Sequence, residues 1–279
     1  MSDTKADFSS IYDRDDPRAY FAELSPLDYQ IPQQAMPVLR TLAGASTRSG
    51  RTRPVLDLCC SYGINGGLLR FDVELDEMSA RATAAAAADL SPRAFIASER
   101  AFFAERRRTP QLDVRGLDAA PHAIGYAREV GLVTDGWAEN LEQDAASPAL
   151  RAGLRDVGLV TCTGGVGYVG AATFDAILDA VDRPDDLWLA VFVLRVFDYT
   201  PIEQVLRRAG LVTEQVPGRT FLQRRFADAE EQRVAVETVR DRGLDPAGKE
   251  ADGWFHAECF VTRPAAEAAR VPLEDLLAG

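Results

Sequence analysis

The chain has 279 residues, 47% hydrophobic and 27% charged, with a formal net charge of −12. That length suits one large α/β domain with additions, or two smaller domains. The acidic balance argues against a nucleic-acid partner, which needs a basic face. No apolar run approaches the roughly 20 residues of a membrane span, and the first residues carry no apolar signal-peptide core. Cys59, Cys60, Cys162 and Cys259 show neither paired metal-ligand spacing nor a secreted framework. The expected location is the cytoplasm, with reduced thiols and no metal.

In chain order, Asp16-Pro17 opens a short helix through Leu24, with Asp16 as cap and Pro17 at the first position. Ile31 to Leu42 reads as a second helix with Pro37 as a kink or restart. This prelude either lies over a site as a lid or packs on the sheet edge. Pro54 to Leu58 is a short apolar run, as a buried parallel strand requires. The small residues Cys59 to Gly63 follow it, and Asn65 is a plausible helix N-cap. Asp76 to Leu90 and Arg93 to Arg108 read as helices of an insertion, separated by Ser91-Pro92. Glu105 to Arg108, the densest basic cluster, suits a solvated helix C-terminus.

Gln111 to Leu117 alternates as a second strand ending at Asp118, and a helix runs from Pro121 to Gly131. Leu132 to Ala138 is a third strand and Asp156 to Thr163 a fourth. The latter enters the loop Gly164-Gly165-Val-Gly-Tyr168, and Ala171 to Val181 is its helix. Leu187 to Val196, the most apolar run, suits a central strand buried on both faces. Pro201 to Ala209 and Asp228 to Arg242 read as helices, Leu211 to Val216 and Gly253 to Arg263 as strands. Strands alternating with helices indicate one parallel-dominated sheet covered on both faces.

A strand, a tight turn of small residues and a helix place backbone N–H groups outside the strand's carboxyl end. Asp118 stands where doubly wound folds put an acid on ribose hydroxyls, or else it caps the next helix. Glu139 and Asn140 stand where a base edge would fall, Asn offering donor and acceptor, or they are turn residues. Thr161 to Tyr168 faces the central turn, its small residues allowing close approach of a ligand. His122 and His256 lack a partner pattern and read as structural. No HExxH, GxSxG or P-loop sequence is present.

With VLDLCCSYG, GLD at Gly116 to Asp118, DGWAENL and DVGLVTCTGGVGY, the chain resembles the class I S-adenosylmethionine-dependent methyltransferases over about Ile31 to Arg263. The resemblance implies a Rossmann-like, seven-stranded, mostly parallel sheet with helices on both faces and the last strand antiparallel. It implies S-adenosylmethionine as cofactor. Asp57, Cys59, Ser61 and Gly63 would line its amino-acid portion, Asp118 would hold the ribose, Ala138 to Asn140 the adenine, and Thr161 to Gly165 the methionine side. Asn65, Ala119, Thr163 and Gly164 complete the expected cofactor set. One departure stands out: where the family has three alternate glycines, this chain has Cys59, Ser61 and Gly63, and two β-carbons narrow the turn.

The organisation expected is a prelude or lid over 1–50, a cofactor-binding α/β domain over 51–265 with an insertion at 76–108, and a tail over 266–279. The expected activity is methyl transfer to a small-molecule acceptor, with a homodimer allowed. Another sulfonium chemistry (aminocarboxypropyl transfer or cyclisation), a non-catalytic cofactor-binding protein and a nicotinamide oxidoreductase are the rivals. Tyr168 and Tyr29 are the catalytic candidates. With Tyr12 and Tyr20 they could meet a sulfonium through cation–π contact or orient an acceptor.

Overall fold

The computed structural model describes residues 11–48 and 51–278. Short segments Thr47–Arg48 (β1) and Arg51–Thr52 (β2) pair only with each other. The main sheet takes β3 (Val55–Leu58), β4 (Val114–Asp118), β5 (Asp135–Ala138), β6 (Leu159–Thr163), β7 (Trp188–Leu194), β8 (Leu211–Gln215), β9 (Phe221–Arg225) and β10 (Trp254–Pro264). Their order is β5-β4-β3-β6-β7-β10-β8, with β9 also on β10. The first five are parallel, and β10 runs antiparallel to β7, β8 and β9. Chain order reverses beside β3, so the carboxyl ends of β3 and β6 flank the crevice where doubly wound sheets bind ligands.

The sheet has eight strands where seven were expected. β10 is long enough to serve two short neighbours along one edge: Trp254 to Ala257 face β9, and Phe260 to Pro264 face β8. FLQRR lacks the apolar alternation of a half-buried strand because Gln223 and Arg224 are themselves buried, at 3% and 1% exposure. The third strand is also shorter than expected. Leu132 and Val133 leave the ladder and pack beneath the helix that follows β3.

Two cores cover the two faces. Along β7, Ala190, Phe192 and Leu194 join one apolar cluster, while Leu189, Val191 and Val193 join the other, the period-two alternation of a strand buried on both sides. The first face carries α1 (Arg18–Leu24), α2 (Ile31–Ala45), α3 (Ile64–Arg70) and, further along the chain, α7 (Pro121–Val130). Pro37 does not interrupt α2, which runs as one helix.

Between α3 and β4 lie α4 (Leu75–Thr83), α5 (Ala85–Ala88) and α6 (Pro92–Ala104), with an extended Ala84 breaking the alanine run and Ser91 capping α6. The other face carries α8 (Pro148–Leu154), α9 (Ala171–Ala180) and α10 (Thr200–Arg208). α11 (Ala229–Asp241), α12 (Ala265–Arg270) and α13 (Leu273–Ala278) complete the chain. Arg263 donates to the Val271 carbonyl, and Leu273 is buried, so the last helices are tied to the body. Among the described residues, no helix is long and apolar enough to cross a membrane, and no group of three or more His, Cys, Asp or Glu could hold a metal ion.

Candidate functional site

A cavity of about 410 Å³ opens over the carboxyl ends of β3, β4, β5 and β6, within the range of roughly 300–1,000 Å³ usual for small-molecule sites. Its floor is the turn from β3 to α3. Cys59, Ser61 and Gly63 all have left-handed backbone, at φ of 57°, 48° and 77°. The turn therefore has the conformation that three glycines would take freely, with only one glycine present. A non-glycine residue there costs about 1–2 kcal/mol, so neighbouring contacts must hold the turn. Cys59 N–H and Cys60 N–H donate to Leu117 O at 2.8 and 3.3 Å. Ser61 N–H donates to Asp118 Oδ2 at 2.8 Å.

The β-carbons do not close the turn, because space has been made elsewhere. A Cβ on Gly165, in the facing loop after β6, would lie 2.8 Å from Cys59 Cβ and 2.7 Å from the sulfurs of Cys59 and Cys162. The side chain of Cys59 fills the room that Gly165 leaves. Gly66 serves the same end below the turn, since a Cβ there would stand 2.6 Å from Leu132 O. The Cys162 thiol and burial hold the Cys59 thiol well above its usual range, so it is no thiolate nucleophile.

Asp57 does not line the cavity. It is fully buried beneath it, with Oδ1 accepting from Asn65 Nδ2 at 2.9 Å and Thr161 Oγ1 at 3.1 Å. Burial pushes its carboxyl up to about 7, against those two bonds, and nearby Asp118 adds to the rise. Asn65 is not the N-cap, a place taken by Gly63. It lies inside α3 and also donates to Thr163 Oγ1 at 2.8 Å, tying the helix to both strand ends. Thr161 and Gly63 likewise stand below the lining. Asp57 Oδ2, Asn65 Oδ1 and Ser61 Oγ are buried without a hydrogen-bond partner. Three unused oxygens under one wall are unusual, because orphaned buried polar groups carry a desolvation cost.

Asp118 lines the cavity and accepts from Ser61 N–H and, at 3.0 Å, Ala120 N–H. A carboxylate has about four lone-pair sites, so it can hold the turn and still accept from a ligand's hydroxyls. Burial raises its pKa against these backbone bonds. Ala119, Glu139 and Asn140 also line the cavity, whereas Ala138 points outward and Leu141 takes the wall beside them. The Glu139 carboxylate braces the start of α8 by accepting from Ser147 N–H and Oγ–H at 2.9 and 2.6 Å. Asn140 Oδ1 accepts from Glu142 N–H at 3.0 Å.

The opposite wall comes from segments far apart in sequence. Tyr12, Tyr20, Tyr29 and Tyr168 line it, with Gln223 and Arg224 of β9. Tyr20 meets Tyr12 and Tyr29 edge-on at 5.7 and 5.9 Å between ring centres. Burial pushes the Tyr29 hydroxyl up to about 12. Tyr168 is 53% exposed, at the mouth. Gln223 and Arg224 escaped the sequence reading. Their only signal was the run FLQRR between two turn segments.

The prelude is attached to this wall and to the turn. Gln30 N–H donates to Gln223 O at 2.8 Å, and Arg225 pairs with Asp28 at 2.6 Å. Tyr62, inside the central turn, donates to Ile11 O and accepts from Arg14 N–H at 2.8 and 2.9 Å. His122 stays outside the cavity, its N–H donating to Asp13 Oδ1. His256 bonds Thr220, and burial lowers its pKa to about 4.

No family model matches the sequence, and no curated protein matches it. Among solved structures, the chain is similar to magnesium protoporphyrin IX methyltransferase (ChlM) from Synechocystis PCC 6803 with bound SAM. The identity is 10%, over 84% of this chain and 81% of that one, with a TM-score of 0.41. The plantazolicin methyltransferase BpumL in complex with SAH matches at 11% identity, 91% and 88% coverage and a TM-score of 0.41. The [4+2]-cyclase SpnF matches at 14% identity, 83% and 82% coverage and a TM-score of 0.39. By its own strand order the chain has a Rossmann-like, mostly parallel sheet covered by helices on both faces. What the site does rests on its residues.

Proposed function

We propose that the chain is an S-adenosylmethionine-dependent methyltransferase acting on a small molecule. The observation that carries this reading is the backbone of the central turn, left-handed at Cys59, Ser61 and Gly63 and pinned by Asp118. Asp118 would accept from the ribose hydroxyls in charge-assisted bonds. Asn140 and Leu141 would border the adenine. Ser61 and Asn65, each with an unused oxygen beside the cavity, suit the ammonium end of the amino-acid arm. When bound, the sulfonium supplies an electrophilic methyl group. The chain's own contribution is then to hold an acceptor in line and exclude water, which can supply much of the rate.

The tyrosine-lined wall would receive the acceptor, and the prelude would act as its cover. Calorimetric titration with S-adenosylmethionine, with NADH as control, tests the cofactor. Saturable binding of the sulfonium compound alone is expected, and binding of NADH alone would replace this reading with the oxidoreductase. Mass analysis of the product then decides the chemistry: S-adenosylhomocysteine marks methyl transfer, and methylthioadenosine marks attack on the other arm.

A further inference from the structure

Charge, more than shape, distinguishes the acceptor wall. Tyr12, Tyr29 and Tyr168 come from three separate segments and line one wall, where negative charge on Tyr168 would disfavour it on Tyr12 and Tyr29. Asp118 bears on Tyr12 and the buried Asp57 on Tyr29 in the same sense, after burial itself, which is the largest cause for both tyrosines. Asp13 adds a carboxylate to the lining. Among the described residues the one cation in the lining is Arg224. Both carboxylate oxygens of Glu231, at 2.7 and 2.9 Å, and the Phe255 ring beneath it offset part of its charge, and the remainder bears on Tyr12 and Tyr29 in the opposite sense.

A negative group placed here meets the carboxylates of Asp13, Asp118 and Glu139. A positive one meets the same oxygens and aromatic faces, which attract cations more strongly when water is excluded. No histidine lines the cavity. The Tyr29 hydroxyl, pushed up to about 12, supplies no base at neutral pH.

We propose that the acceptor is an amine, an inference that rests on the reading above for the reaction but not for the charge preference. A hydroxyl acceptor must lose its proton as it attacks and needs a base, and a carboxylate acceptor meets the wrong potential. An amine held as its cation must also give up a proton, but it does so to solvent before the attack, which frees the nitrogen lone pair without a base in the site. Its nitrogen lone pair forms the bond to the methyl carbon while the carbon–sulfur pair returns to sulfur, leaving a neutral thioether and a methylated ammonium. Any N–H proton then leaves to solvent. The tyrosine faces hold the cation that forms.

Three probes of one shape separate charge from size: choline, 3,3-dimethylbutan-1-ol and 3,3-dimethylbutanoate. Their binding would be followed by saturation-transfer NMR with and without S-adenosylhomocysteine. Choline is expected to bind about tenfold more tightly than the neutral alcohol, with the carboxylate weakest. Tyr168→Leu should abolish the preference and Tyr168→Phe retain it, since only the latter keeps a ring face. Tyr168 is half exposed, so neither change threatens the fold. A choline-to-alcohol ratio below about threefold, tighter binding of the carboxylate, or an undiminished preference in Tyr168→Leu would overturn the proposal. Failure of S-adenosylhomocysteine to bind in the same titrations would sink the cofactor reading, while the charge preference is scored independently.

Discussion

The two walls of the cavity are built in opposite ways. The wall assigned to the cofactor consists of strand ends: β3 gives the turn, β4 gives Asp118, β5 leads to Asn140, and β6 leads to Thr163 and Gly164. Each residue stands within a few positions of an apolar run, so the sheet delivers it. The wall assigned to the acceptor is assembled from Tyr12, Tyr20 and Tyr29 before the sheet, Tyr168 in a loop, and Gln223 and Arg224 near the end. No ladder fixes these relative to one another until the prelude docks on β9. The first wall should therefore respond to changes in the turn, and the second to changes in docking.

The largest effect should come from removing the anchor of the first wall. Asp118→Ala leaves Ser61 N–H and Ala120 N–H without their acceptor and removes the proposed ribose partner. Cofactor affinity is expected to fall about a hundredfold, near 3 kcal/mol, measured by calorimetry. An affinity within threefold of wild type would remove Asp118 from the site.

Asp57 offers a pH-dependent test of the same wall. Its carboxyl, raised to about 7 in the fold, holds a proton between roughly pH 4 and 7 that the unfolded chain has released. Its contribution to stability therefore declines as pH rises through that window, by at most about 1.4 kcal/mol per unit. Asp57→Asn cannot ionise, so its stability relative to wild type should improve from pH 5 to pH 8 in denaturant titrations. A pH-independent difference would show that the carboxyl titrates normally.

The exchange of glycine between turn and loop predicts a rescue. Gly165→Ala forces a methyl group against Cys59 and should cost about 2 kcal/mol. Adding Cys59→Gly should recover at least half of this, giving a coupling energy of about 1 kcal/mol in a double-mutant cycle. Strict additivity would mean that the two positions do not share one space. The smallest effect is expected at the junction of the walls. Tyr62→Phe removes both bonds to the segment over the mouth, worth about 1 kcal/mol. Hydrogen exchange should quicken at residues 11–16 and leave β3 unchanged, whereas uniform quickening would place the tyrosine's role in global stability.

The parallel sheet was legible because strands buried on both faces are written as apolar runs, as in Leu187 to Val196, and turn-formers mark where each ends. Asp118 and Asn140 were legible for the same reason, since position at a strand's end gives them their place. The eighth strand was not, because burial of Gln223 and Arg224 depends on Glu231 in the next helix, on Phe255 and on the docked prelude, and the local pattern of FLQRR announces none of these. The inward turn of Asn65 was hidden too. A cap and a buried linker between strands call for the same residue type, and only the presence of Asp57 and Thr163 around it decides which it is.

Composition and pattern thus determined the class of sheet and the end of it where a ligand can sit. Whether Cys59 and Ser61 would close that end was a tertiary matter. Local preference disfavours left-handed backbone at both, but long-range contacts from Leu117 and Asp118, with the room left at Gly165, hold the turn open.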